Sequence, residues 1–155
     1  MTKFYLFGIK YTATDYSECT QSIIHFAKNN HSYGVSALAV HGLVEAQKDK
    51  TLRNLVNSID LVVPDGQPIR WALNSFYNAK LLDRVYGPTL TLKVLEEANK
   101  QSLNIYLYGS TMDTLILFSN FIKNNYTDVQ VVGIHVDRFR EATLKEDLED
   151  IKKIN

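Results

Sequence analysis

The sequence predicts an α/β fold with a mainly parallel sheet flanked by helices. Three observations carry this. Short apolar runs alternate with segments of helical period along the whole chain. The run Gly34–Val40 is apolar on both faces, as a buried parallel strand is. No repeat, low-complexity tract or linker interrupts the alternation, which reads as one domain over residues 1–155.

Phe4–Ile9 reads as the first strand. Asp15 and Glu18 stand three apart, as in a capping box, before a helix to about Asn29 that carries Cys19, Ile23, Phe26 and Ala27 at helical spacing. Gly34–Val40 is the second strand, followed by short helical pieces at Leu43–Lys48 and Leu52–Ser58. Leu61–Val63 is a third strand, stopped by Pro64-Asp65-Gly66. Pro68 fits the first turn of the next helix, with Ile69, Trp71, Ala72 and Phe76. Pro88 opens a helix through Leu90, Val94, Leu95 and Ala98. Asn104–Tyr108 is a strand, Thr111 caps a helix, Val129–Ile134 is a strand, and Thr143-Leu144-Lys145-Glu146 is a capping box for the terminal helix.

The 155 residues suffice for one buried core. Lysine plus arginine equals aspartate plus glutamate at 17 each, so net charge supplies no case for nucleic acid as the main partner. Cys19 is the single cysteine, which excludes an intrachain disulfide and fits a reducing compartment; a buried structural thiol is expected. No apolar stretch has the length of a membrane span, and Lys3 and Lys10 bracket too short a run for a signal peptide. The four histidines, His25, His31, His41 and His135, lack metal-ligand spacing, and no Asp-x-Asp occurs.

Ligands of open α/β sheets bind beyond the carboxyl ends of the strands. Val40-His41-Gly42, Val63-Pro64-Asp65-Gly66, Tyr108-Gly109-Ser110-Thr111 and Ile134-His135 occupy such ends. Asp65 lies on a short rigid turn. That placement suits a general base, and equally a turn aspartate or the N-cap of the helix starting near Gln67. Backbone amides of Gly109, Ser110 and Thr111 suit phosphate, or the turn is an ordinary one with Thr111 as N-cap. Arg84 suits a diphosphate, or pairs with Asp83 at the surface. His41 suits a ligand donor, or is a satisfied histidine near the edge of the fold.

Val35–Ala46, Asp60–Leu73 with its Pro64-Asp65-Gly66, Arg84-Val85-Tyr86-Gly87-Pro88 and Tyr106–Thr111 together, in this order, resemble the WecG/TagA/CpsF glycosyltransferase family. The resemblance covers nearly the whole chain. It implies a Rossmann-like fold and metal-independent, inverting transfer of an N-acetylmannosamine-type sugar from a UDP-sugar to a lipid-linked saccharide acceptor. The setting it implies is teichoic-acid or surface-polysaccharide synthesis, in the cytoplasm at the inner membrane face, without a cofactor. It assigns Asp65 as the base and Arg84 to the donor diphosphate, with Gly66, Gln67, His41, Gly109, Ser110 and Thr111 as substrate-binding candidates. Two rivals stand beside it: a degenerate family member that transfers nothing, and a flavodoxin-like ligand-binding domain.

Three departures from the family pattern bear on activity. Ala39 stands where the family commonly has asparagine, and Thr89 where it commonly has aspartate. The family also continues past this chain's last residue, through a Pro-Lys-Gln-Glu motif and a membrane-associating tail. The 155 residues alone are therefore expected not to show normal transfer, and an exposed sheet edge is expected to favour homo-oligomers. Because no carboxylate pair for a cation is evident, transfer by a longer, active version is expected to persist in EDTA. Loss of transfer in EDTA with recovery on adding magnesium or manganese is the contrary result.

Overall fold

A computed structural model describes residues 1–154. The chain divides into two compact units, Met1–Val94 and Leu95–Asn155. The elements are α/β throughout, as the sequence predicts; among the described residues the hydrogen-bonded strands form three pairs, two of them parallel and one antiparallel.

The first unit opens with a hairpin. The expected single strand at Phe4–Ile9 is two, β1 (Thr2–Leu6) and β2 (Ile9–Ala13), paired antiparallel with Leu6 opposite Ile9. Phe7 and Gly8 turn the chain at φ 48° and 83°. Both central residues of a type I′ turn need positive φ, which Asn-Gly usually supplies, so a phenylalanine hides the signal. Helix α1 (Tyr16–Lys28) follows, and the Asp15 carboxylate accepts the Glu18 amide at 2.9 Å as its cap. The box is not reciprocal: a Glu18 carboxylate oxygen instead accepts the Thr14 hydroxyl at 3.1 Å.

β3 (Val35–Leu38) is shorter than the expected Gly34–Val40 and only half-buried, with Ala37 exposed. Of its last two expected residues, Ala39 is the extended N-cap and Val40 the first residue of α2, which runs to Lys48. Gly42 allows the close return: a Cβ there would lie 2.5 Å from Leu38 Cδ1. Asp49 ends α2 and caps α3 (Lys50–Ser58) through the amides of Thr51 and Leu52.

β4 (Leu61–Pro64) pairs parallel with β3, Leu38 opposite Pro64, and is the strand buried at every residue. Its alternating side chains feed two clusters. Val62 joins Ile9, Tyr11, Leu43 and Ile69 on one face; Leu61 and Val63 join Cys19, Val85 and Leu90 on the other. Helix α4 (Gln67–Tyr77) packs on the first face with Ile69 and Leu73, and α1 supplies Cys19 to the second. Burial, then the nearby Asp15 and Glu18 carboxylates, push the Cys19 thiol up to about 12, so it is an inert packing group.

The boundary between the units falls inside α5 (Gly87–Lys100). In the second unit β5 (Asn104–Tyr108) and β6 (Gln130–His135) pair in parallel on either side of α6 (Met112–Asn125) in the chain, with a register shift between Ile105 and Tyr106. Leu115, Ser119 and Ile122 are the buried side of α6, and Thr111 caps it. In α7 (Leu144–Ile154) the capping box closes both ways: Glu146 accepts the Thr143 amide at 2.9 Å, and Thr143 Oγ1 accepts the Glu146 amide at 3.4 Å.

Helix α7 turns charge inward. Asp150 is buried and holds the Arg138 guanidinium through both carboxylate oxygens, with His135 Nε2 at 3.1 Å from Oδ1. The Arg138 bonds hold the Asp150 carboxyl below its usual range. Leu144, Leu148 and Ile151 of the same helix are exposed. Among the described residues no helix is long and apolar enough to cross a membrane.

Gly133 faces Tyr106 across the β5–β6 pair, and a Cβ at Gly133 would stand 2.3 Å from Tyr106 Cε2. Gly133→Ala is therefore expected to cost about 1–3 kcal/mol of stability through overpacking. Urea unfolding measures it; an unchanged midpoint would show that the ring moves aside freely.

Candidate active site

The site of the first unit is built on the end of β4. A fully buried strand must give its last backbone groups partners. The segment after α4 supplies them: the Val85 amide donates to Pro64 O at 3.0 Å, and the Gly87 amide to Asp65 Oδ2 at 3.3 Å. Gly87 lies so close that a Cβ there would stand 3.3 Å from the Ala37 Cβ and 3.7 Å from Asp65 Oδ2. The Tyr86 amide, between the two, donates to the Tyr16 hydroxyl at 3.0 Å. Residues 85–87 are thus tied to β4 on one side and to α1 on the other.

Asp65 is half-buried at the tip of this arrangement. It does not cap α4: the N-cap is Gly66, at φ 100°, without a side-chain bond. That removes the capping alternative. Asp65 Oδ1 has no hydrogen-bond partner among the described residues, so one oxygen is fixed and the other is available. Tyr11 lies behind it, buried, with its hydroxyl donating to Leu38 O at 3.2 Å. Burial and then the Asp65 charge push the Tyr11 phenol well up, so it stays neutral.

The other candidates of this unit fall on both sides of Asp65. Arg84 stands 4.6 Å over the Tyr86 ring, and no carboxylate comes within ion-pair distance of its guanidinium among the described residues. Only its backbone amide engages Asp83, at 2.7 Å, so side-chain pairing with Asp83 does not occur. That amide first, and Gln67 next, hold the Asp83 carboxyl below its usual range. Gln67 is engaged at both ends of its amide, donating to Asp83 at 2.9 Å and accepting from Arg70 at 3.2 Å. His41 is exposed in the first turn of α2.

Arg84 also lines a cavity of about 300 Å³ with Thr14, Asp15, Glu18, Lys80 and Leu82; Asp65 does not. Tyr16, Lys80 and Glu18 escape a motif search because their part depends on where α1 and the 79–84 loop meet. The Asp15–Glu18 capping pattern was the one local sign of that place.

In the second unit, Gly109, Ser110 and Thr111 form the turn after β5, with Gly109 at φ 118° and Ser110 at φ 53°. The Gly109 amide is not available for phosphate, because it donates to His135 O at 2.9 Å. Thr111 Oγ1 is engaged as cap of α6 with Thr114, at 3.4 Å from its amide. The parallel pair extends one bond past β5, and that is why the turn spends its first amide there.

Ala39 is the N-cap of α2, in extended conformation, and makes no side-chain cap bond. Asparagine at this position would accept the orphan amides of the first turn. Ala39→Asn is expected to raise stability by about 1 kcal/mol, read as a higher denaturation midpoint. A lower midpoint would mean that the position has no room for the amide.

A sequence model of the glycosyl transferase WecG/TagA/CpsF family matches residues 4–155. The chain is also 25% identical over 99 residues to the N-acetylglucosaminyldiphosphoundecaprenol N-acetyl-beta-D-mannosaminyltransferase of Bacillus subtilis (strain 168). That stretch covers 64% of this chain and 38% of the relative, so the chain spans well under half of the relative's length.

Proposed function

Because the chain belongs to the WecG/TagA/CpsF glycosyl transferase family, we propose that it contains the base-bearing part of a transferase that moves a sugar from a UDP-sugar to a lipid-linked saccharide diphosphate in cell-surface polymer synthesis. The observation that carries the reading is the Asp65 carboxylate. One oxygen is held by the Gly87 amide at 3.3 Å and the other is unpartnered at the end of a fully buried strand. A base needs that combination of fixed position and open lone pair.

The step is a single displacement. An acceptor hydroxyl attacks the anomeric carbon; the new C–O bond forms as the bond to UDP breaks, and UDP leaves with the electron pair. Asp65 Oδ1 takes the hydroxyl proton. Attack opposite the leaving group inverts the anomeric centre. Arg84, in no ion pair among the described residues and 4.6 Å over Tyr86, offsets the charge that develops on the departing diphosphate. The acceptor class is carried over from the name of the Bacillus subtilis relative.

A second reading, a family member that binds nucleotide without transferring, is favoured by Ala39, which brings no polar group to the first turn of α2.

UDP titrated into the labelled chain is expected to shift the amide signals of Asp65, Gly66, Gln67 and Arg84. Ser110 and Thr111 are read separately as the candidate turn of the second unit. In a longer version that transfers, Asp65→Asn is expected to lower turnover by about 100- to 10,000-fold while the melting temperature changes little. Turnover near the original level would reduce Asp65 to a turn residue. UDP binding without any transfer in the longer version would establish the second reading.

A further inference from the structure

We propose that Tyr16 is a positioning residue of the candidate site: its hydroxyl fixes the backbone at Tyr86 and so holds Asp65 and Arg84 in place for the transfer. The proposal deepens the glycosyltransferase reading and rests on it. Amides at the start of a helix have no partner within it, so each needs an outside acceptor. Three successive amides at the entry to α5 find three different ones. Val85 donates to Pro64 O at 3.0 Å, Tyr86 to the Tyr16 hydroxyl at 3.0 Å and Gly87 to Asp65 Oδ2 at 3.3 Å. The outer two bonds go to β4 and the residue after it. The middle one reaches α1, 70 residues earlier in the chain.

The Tyr86 and Gly87 amides belong to two planar peptide groups that meet at the Tyr86 Cα, where only φ and ψ turn. A swing about that atom carries the Gly87 amide off Asp65 Oδ2. It also moves the Tyr86 ring, over which the Arg84 guanidinium stands at 4.6 Å. The bond from Tyr16 resists the swing. One hydroxyl therefore acts on both the proposed proton acceptor and the proposed cation.

Tyr16 is itself well held. It opens α1 directly after the Asp15 cap. Its ring packs against the buried cluster that contains Cys19, Leu61, Val63, Val85 and Leu90. On α5, Lys93 Nζ lies 5.7 Å from the ring centroid. A phenylalanine ring would keep all of these contacts. The hydroxyl adds one thing, the bond to the Tyr86 amide, its partner among the described residues. Tyr86 is 39% exposed, so water can take that amide and the fold loses little. A bond that folding does not need sits between the anchor of the proposed base and the support of the proposed cation. That placement points to the site.

The test uses the full chain, with Tyr16→Phe as the main variant. Solvent exchange of the Tyr86 and Gly87 amides is read by NMR without ligand. Both are expected to exchange about three- to tenfold faster in Tyr16→Phe, with the melting temperature within about 3 °C of the unsubstituted chain. Tyr16→Leu removes the ring as well and is expected to melt lower. By calorimetry, UDP is expected to bind Tyr16→Phe about fivefold more weakly than the unsubstituted chain. In an Arg84→Gln background the same change is expected to add no further loss, because Tyr16 acts through Arg84. Unchanged Gly87 exchange would overturn the proposal. So would equal weakening of UDP with and without Arg84, which would have Tyr16 touch the ligand itself. A melting temperature that falls as far in Tyr16→Phe as in Tyr16→Leu would also overturn it, by making the hydroxyl a folding contact. No response to UDP in the unsubstituted chain overturns the donor reading; the hold on Gly87 then stands or falls by the exchange rates.

Discussion

The complete burial of β4 is the constraint on which the first unit rests. Every residue from Leu61 to Pro64 is out of water, so apolar neighbours must cover both faces and each polar backbone group needs a partner. The apolar clusters on either face satisfy the first requirement. The second falls partly to the Val85 amide, which bonds Pro64 O at the strand's end. Once Val85 is there, Tyr86 and Gly87 follow within reach of Tyr16 and Asp65. The candidate active site is thus the place where a buried strand runs out and a passing segment completes its bonding.

This origin explains the residue types. Gly87 is small because it passes beside Ala37 and Asp65, and the aspartate gains a fixed oxygen from a backbone amide that side-chain variation does not remove. Arg84, just ahead of the tied segment, leans on Tyr86 instead of on an acid. A guanidinium so placed keeps its capacity for an anion, whereas one paired with Asp83 would have spent it.

The second unit solves its charge balance differently. Asp150 is buried against Arg138 and His135, so α7 docks through a polar network and leaves Leu144, Leu148 and Ile151 outside. Removing one partner of such a network strands the other's charge, which makes Arg138 and Asp150 interdependent. The period of α7 puts Leu144, Leu148 and Ile151 on one face, yet Asp150 is the residue buried, held by Arg138 of the preceding loop.

The sequence by itself determined the alternation of strands and helices, the caps at Asp15, Thr111 and Thr143, and the candidate residues Asp65 and Arg84. Those are local matters: side-chain period, short-range hydrogen bonds and turn chemistry act over a few residues, so they are legible in a few residues. It did not show the hairpin, because Phe7 occupies a turn position against its preference. It did not show that α2 starts at Val40, because Ala39 caps nothing. The tertiary structure alone decided that Asp65 is held by Gly87 and caps no helix, that the Gly109 amide is taken by His135 O, and that the strands form three pairs. Each of these joins residues distant along the chain or on different strands, and a bond between them exists only once packing has brought the two together.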